Sequence, residues 1–202
     1  PGEELGRAIL PTPTIGGVGL ISDFSKSATL AFKRAGEAIL LVGETIGWLG
    51  QSLYLRDIGG REEGAPPPVD LVEERENGDF VRALILDGLA SAVHDLSDGG
   101  LAVALAEMAM ASGIGATLSE PPDDIPAHAY WFGEDQARYL VTVAADKVEA
   151  VRARAQAAGV LAASIGMTGG EALAMPGERP LPLKALTQAF EGWLPRYMAG
   201  GA

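Results

Sequence analysis

Two kinds of apolar pattern alternate along the chain. Short unbroken apolar runs bounded by glycine read as strands buried on both faces, and apolar residues three and four apart read as one face of a helix. The clearest run is Ala38-Ile39-Leu40-Leu41-Val42, ending at Gly43. Residues 15–22, IGGVGLIS, form a second buried strand whose glycines let another backbone come close. A polar connection follows over 24–36, residues 52–55 are expected to begin a further strand after a Gly-rich turn, and 59–68, GGREEGAPPP, form a loop.

After that loop the period changes to that of a helix. Residues 79–89 carry Phe80, Val81, Leu84, Ile85 and Leu89 on one face; 101–112 carry Leu101, Leu105 and Met108, with Gly113 as the stop. A third helix, 148–158, is expected to open on a capping-box arrangement of Asp146 and Glu149 and to close at Gly159. Strands are expected at 92–94, 115–118, 139–144, 160–165 and 172–175. This interleaving predicts an α/β (α+β) two-layer sandwich, a mixed sheet packed by helices. The tail, 181–202, places Leu183, Leu186, Phe190, Trp193 and Leu194 at helical spacing and is expected to dock on the body through them.

Composition narrows the function. A chain of 202 residues holds one large domain, or one domain and part of another. With no cysteine, disulfide scaffolds and Cys-ligated metal sites are excluded. A net charge of −12 and pI ≈ 4.5 disfavour a nucleic-acid footprint, which needs clustered Lys and Arg. No apolar run approaches the ~20 residues of a membrane span. The start, Pro1-Gly2-Glu3-Glu4, has neither the basic head nor the apolar core of a secretory signal, and reads as a cytoplasmic protein or an excised piece of one.

Two polar clusters carry candidate chemistry. His94-Asp95-Leu96-Ser97-Asp98-Gly99-Gly100 lies where a strand ends and a helix begins. Its glycines permit close approach, the helix N-terminus favours phosphate, and Asp95 or Asp98 offers oxygen to a Mg²⁺ bridging to that phosphate. The same residues also make an ordinary helix start, with Ser97 or Asp98 as N-cap. A Ser-His-Asp relay is rejected, because adjacent strand residues point to opposite faces. Only two histidines exist, and His128 falls in a Pro-rich loop, so a transition-metal site is disfavoured.

The second cluster, Trp131 to Tyr139, leads into the apolar strand LVTVAA. There Glu134 can accept from ribose hydroxyls or hold Mg²⁺, Gln136 can read an amide, and Arg138 can pair with phosphate or with Asp135. A bland surface turn fits these residues as well. The stretches Val42-Gly43-Glu44-Thr45 and Leu49-Gly50-Gln51-Ser52 are a weaker third candidate. Neither a G-x-x-x-x-G-K-[ST] loop nor a full G-x-G-x-x-G is present.

Taken in order, PTPTIGGVGLI (11–21), AILLVGET (38–45), GQSLYL (50–55), HDLSDGGLAVALAEMA (94–109) and WFGEDQARYLVTV (131–143) resemble the C-terminal part of the phosphoribosylformylglycinamidine synthase family, in the aminoimidazole ribonucleotide synthetase superfamily. The resemblance implies a large synthetase that uses ATP, Mg²⁺ and ammonia from a glutaminase partner to convert formylglycinamide ribonucleotide to formylglycinamidine ribonucleotide. It implies two pseudo-symmetric halves, each with a ferredoxin-like N-terminal-type domain and an α/β C-terminal-type domain. Residues 1–32 would be the closing strand and linker of a preceding N-terminal-type domain, and 33–202 a C-terminal-type domain of the second half.

On this resemblance no residue here is catalytic. The family's catalytic histidines belong to the first half, and its Gly-Asn-x-Ser segment should precede Pro1, so the chain alone is expected to be inactive. Asp95 matches a Mg²⁺-binding aspartate; Ser97, Asp98, Gly99, Gly100, Glu134, Asp135 and Gln136 are expected to line an auxiliary ATP/ADP site. Asp135 stands where the family segment has serine, which puts direct substrate contact there in doubt. The rival readings are a selenophosphate synthetase or thiamine-monophosphate kinase, which the 11–21 motif argues against, and a non-catalytic interaction domain. In the last case the exposed apolar strand at 15–21 predicts self-association.

Overall fold

The computed structural model describes residues 13–200. Residues 1–12, and with them the first two positions of the 11–21 motif and much of the expected 1–32 segment, lie outside the described residues. The strands are β1 (Glu37–Val42), β2 (Ala90–Asp95), β3 (Ala116–Leu118), β4 (Tyr139–Ala144), β5 (Ala162–Thr168), β6 (Ala172–Ala174) and β7 (Leu181–Pro182). They form one sheet in the order β2-β4-β1-β5-β3-β6-β7. It is mixed, as expected: β3 and β6 run parallel, and the other neighbours antiparallel.

The helices are α1 (Leu71–Leu86), α2 (Gly100–Ser112), α3 (Ala127–Phe132), α4 (Val148–Ala157) and α5 (Leu183–Met198). They cover both faces of the sheet, one helical layer more than the sequence reading counted. The reason is visible in β1, whose six residues are all buried. Ala38, Leu40 and Val42 pack with Phe80, Val81 and Leu84 of α1 and Val151 of α4, while Ile39 and Leu41 pack with Leu101, Leu105 and Met108 of α2 and Trp131 of α3. An apolar run with no polar alternation needs cover on two sides. Leu84, Leu101 and Leu105 have no exposed surface, and truncating any of them to alanine costs about 2–5 kcal/mol.

Several expected elements change. Residues 15–22 form no strand, and Ile15, Val18 and Leu20 are more than 90% exposed. No strand of the described residues lies beside them, and a strand exists only by pairing its N–H and C=O groups. Residues 52–55 lead into a π-helical turn, Tyr54–Ile58, in place of a strand. Helix α1 starts eight residues earlier than its periodicity suggests, because its first turns are largely exposed. Its start is set instead by Asp70, whose carboxylate accepts the Val72 and Glu73 N–H groups.

Two expected caps are not made. Helix α2 begins at Gly99, in the left-handed region at φ 81°, with no side-chain cap from Ser97 or Asp98. Helix α4 follows a short 3₁₀ turn, and Asp146 pairs with Lys147 rather than capping. The tail helix α5 docks through Leu183 and Leu186, but Phe190, Trp193 and Leu194 remain mostly exposed. Trp193 stacks instead on Tyr197, one turn on, at 5.2 Å between ring centroids.

Candidate functional site

Strands β2 and β4 are antiparallel neighbours, and Asp95 at the end of β2 sits opposite Tyr139 at the start of β4. The segment following β2 and the segment preceding β4 therefore meet at one end of the sheet. That pairing brings together two clusters some forty residues apart in sequence. Asp95, Ser97, Asp98, Glu134 and Gln136 line one cleft of about 260 Å³, with Glu74 of α1 and Tyr139 as further walls.

Glu134 closes the back of this cleft. Its Oε1 accepts the Gly99 N–H and the Leu53 N–H, each at 2.8 Å, while its own N–H donates to the Trp48 carbonyl. One carboxylate thus ties the glycine turn to the 50s segment. Gly100 is held by packing: its φ is +66°, and a Cβ there would lie 2.4 Å from the Gly133 carbonyl oxygen. Gln136 donates to the Glu134 carbonyl at 3.3 Å and also borders a second hollow, of about 290 Å³, beside Glu44, Asp70 and Glu73.

Asp135 has a different role from the other cluster residues. It is buried, and its two carboxylate oxygens accept the Gly47 and Trp48 N–H groups at 3.1 and 2.9 Å. Arg138, whose side chain is fully buried, lies 3.5 Å from the same carboxylate. The guanidinium donates to the Gly133 and Asp135 carbonyls and to Thr45 Oγ1. Of its two expected pairings, Arg138 thus takes Asp135. Burial lowers its pKa from the ordinary arginine value, and the Asp135 charge opposes that shift. Asp135 and Arg138 anchor the loop that presents Glu134 and Gln136.

The cleft is negatively charged. Four carboxylates, Glu74, Asp95, Asp98 and Glu134, border it, and Arg138 is committed to backbone and Asp135. The Tyr139 hydroxyl reports this field: burial raises its pKa above the ordinary 10.0, and the charges of Glu74 and Asp95 raise it further. Phosphate enters such a cleft only with a cation that offsets the carboxylates. Among the described residues, no group of three or more His, Asp or Glu side chains is placed to hold a metal ion alone. The donor set still suits Mg²⁺, which binds through one or two carboxylates and takes its other oxygens from phosphate and water.

Residues the sequence left unnoticed also build the site. Glu74 accepts the Ala137 N–H at 3.0 Å, and buried Asn77 donates to the Ala137 carbonyl at 2.9 Å. They hold Ala137 at φ 59°, a left-handed conformation unusual for alanine. Nothing in the pattern of α1 marks them, since they lie on turns without an apolar stripe. His94 and Asp95, expected to diverge, touch at 3.3 Å between Nδ1 and Oδ1, and His94 Nε2 lies 2.7 Å from Glu107 Oε2. Among the described residues no serine hydroxyl bonds to His94. His128 stacks on Tyr54 from α3.

Comparison with known proteins finds relatives over nearly the whole chain. A Rhodopseudomonas palustris (strain BisB5) protein, phosphoribosylformylglycinamidine synthase subunit PurL, is 65% identical over 198 residues, covering 98% of this chain and 27% of its own length. A Bradyrhizobium diazoefficiens protein of the same name is 64% identical over 200 residues, 99% of this chain and again 27% of the relative. The chain thus spans about a quarter of the length of these curated relatives. Among solved structures, T. maritima PurL complexed with FGAR superposes with a TM-score of 0.68 at 17% identity, over 81% of this chain and 30% of that one, a likeness of fold. Residues 34–174, well over half of the sequence, match the model of the AIR synthase related protein, C-terminal domain, and the chain belongs to that family.

Proposed function

We propose that this chain is the C-terminal domain of a phosphoribosylformylglycinamidine synthase, the ATP-dependent carbon–nitrogen ligase of purine biosynthesis, and that it contributes an auxiliary nucleotide cleft rather than catalytic groups. The observation that carries the reading is the convergence of Asp95, Ser97, Asp98, Glu134 and Gln136 on one cleft at the sheet end. Identity of 64–65% to synthetase subunits over nearly the whole chain supports it. In the longer protein, residues 33–202 form the domain, and the exposed apolar residues of 15–21 pair with the domain before it.

A Mg²⁺ ion would be held by Asp95 and would screen the nucleotide phosphates from the cleft's carboxylates. Ser97 and Asp98 stand at the mouth of the turn, and Glu134 keeps the turn's backbone in place. Amidine formation from formylglycinamide ribonucleotide, with ammonia supplied by a glutaminase partner in the cytoplasm, belongs to the other parts of the synthetase. Phosphoryl transfer of this kind asks for oriented phosphates and charge screening more than for a nucleophilic side chain.

The test is a thermal-shift titration of the chain with ADP and Mg²⁺ beside Asp95→Ala. A ligand that binds only the folded state raises the melting temperature by mass action. The expected result is a rise in the wild type that Asp95→Ala abolishes. A second reading, a domain that is scaffold only, is favoured by Glu134 already being engaged with two backbone N–H groups. It predicts no shift up to millimolar ADP, together with self-association through Ile15, Val18 and Leu20 in sedimentation at rising concentration.

A further inference from the structure

The imidazole of His94 lies between two carboxylates that belong to different elements. On one side Nε2 meets Glu107 Oε2 of α2 at 2.7 Å; on the other Nδ1 meets Asp95 Oδ1 at 3.3 Å. The His94 side chain is 16% exposed, Glu107 42% and Asp95 68%. The ring is thus enclosed, and its outer neighbour is the carboxylate that borders the cleft. A neutral imidazole donates to one of these oxygens and an imidazolium to both.

Asp95 needs such a neighbour. It ends an edge strand, and among the described residues its carboxylate has no hydrogen-bond partner but His94. An exposed aspartate at that place rotates freely unless something holds it. The ring is itself held by Glu107, from the second turn of α2. The same tie joins the strand before the Ser97–Gly100 turn to the helix after it.

We infer that His94, clamped by Glu107, is a positioning residue that aims the Asp95 carboxylate into the cleft for divalent-cation binding. The inference rests on the reading of Asp95 as the cation's ligand. Partners in the outer shell of a metal site typically set its affinity by ten- to a hundredfold.

Substitutions at His94 separate this role from a merely structural one. Asparagine carries its amide nitrogen where Nδ1 stands and can still reach Asp95, whereas glutamine extends to Glu107 and leaves Asp95 unattended. The experiment titrates the full chain with Mn²⁺ in the presence of ADP, reading bound Mn²⁺ by the enhancement of water-proton relaxation, with melting curves confirming that each variant is folded at the assay temperature. His94→Asn is expected within about threefold of wild type, and His94→Gln and His94→Leu about tenfold weaker, with Asp95→Asn weaker still. If His94→Gln binds Mn²⁺ as wild type does, or His94→Asn is as weak as His94→Leu, the positioning role is overturned while the cation site stands. If Asp95→Asn binds as wild type does, the site itself is overturned, and the inference with it.

Discussion

Glu134 accepts the Gly99 N–H at 2.8 Å, and through the same oxygen it accepts the N–H of Leu53, 81 residues earlier in the chain. The carboxylate therefore occupies the position at the glycine turn that an anion would seek. Replacing it by alanine leaves two backbone donors without their acceptor. Hydrogen bonds to a charged group are worth about 1.5–3 kcal/mol, so Glu134→Ala is expected to lose about 2–3 kcal/mol in urea unfolding. Glu134→Gln keeps a carbonyl oxygen in place and is expected to lose about 1 kcal/mol or less.

Asp135 is expected to be the more costly position of the pair, although it does not line the cleft. Asp135→Ala strands the buried Arg138 charge and frees the Gly47 and Trp48 N–H groups. Breaking a buried ion pair from one side costs about 3–5 kcal/mol. Equilibrium unfolding should show at least the lower figure, with loosening of the 47–53 segment visible as faster amide exchange at Trp48.

Two glycines in similar backbone conformations should respond differently to alanine. At Gly113, φ is +71° and a Cβ would meet nothing, so the substitution costs only the left-handed conformation, about 1 kcal/mol. At Gly100, φ is +66° and the Cβ would collide with the Gly133 carbonyl. Gly100→Ala must push α2 away from the loop before Glu134 and is expected to lose more than twice as much in the same unfolding assay.

The alkaline limb of stability should report the cleft's charge. Tyr139 and Tyr130 both have pKa values raised above 10.0, chiefly by burial. For a group whose folded pKa is raised, its contribution is complete below the unfolded value and is lost as pH rises through the folded one. Stability is thus expected to fall above pH ~10, where the unfolded chain releases these protons first. Tyr139→Phe should flatten that fall, and a phenolate absorbance titration should show its late-titrating component removed.

What could be read along the chain was the matter of local pattern. The unbroken run from Ala38 to Val42, the stripe of Leu101, Leu105 and Met108, and the stops at Gly113 and Gly159 all stand in the structure, because burial and backbone freedom act on residues near one another. The motifs around Asp95 and Glu134 were legible for the same reason: each is a short polar cluster at the end of an apolar element. Their meeting was not legible. It depends on β2 lying beside β4 with Asp95 opposite Tyr139, a register set by packing on both faces of the sheet.

Tertiary structure also reassigned residues within those motifs. Nothing local distinguishes Glu134 from Asp135, yet one borders the cleft and the other is buried beneath the loop with Arg138. Ser97 and Asp98 have the chemistry of helix caps, and the cap is instead a glycine whose N–H points to a carboxylate 35 residues on. Residues 15–22 have the composition of a strand and no partner among the described residues to make them one. The sequence by itself determined which segments want burial and which carry polar chemistry. Which of those segments meet, and so which carboxylates border a cleft and which are spent on the fold, was decided only by long-range pairing, because hydrogen-bond partners and desolvation are properties of the assembled neighbours and not of the residue.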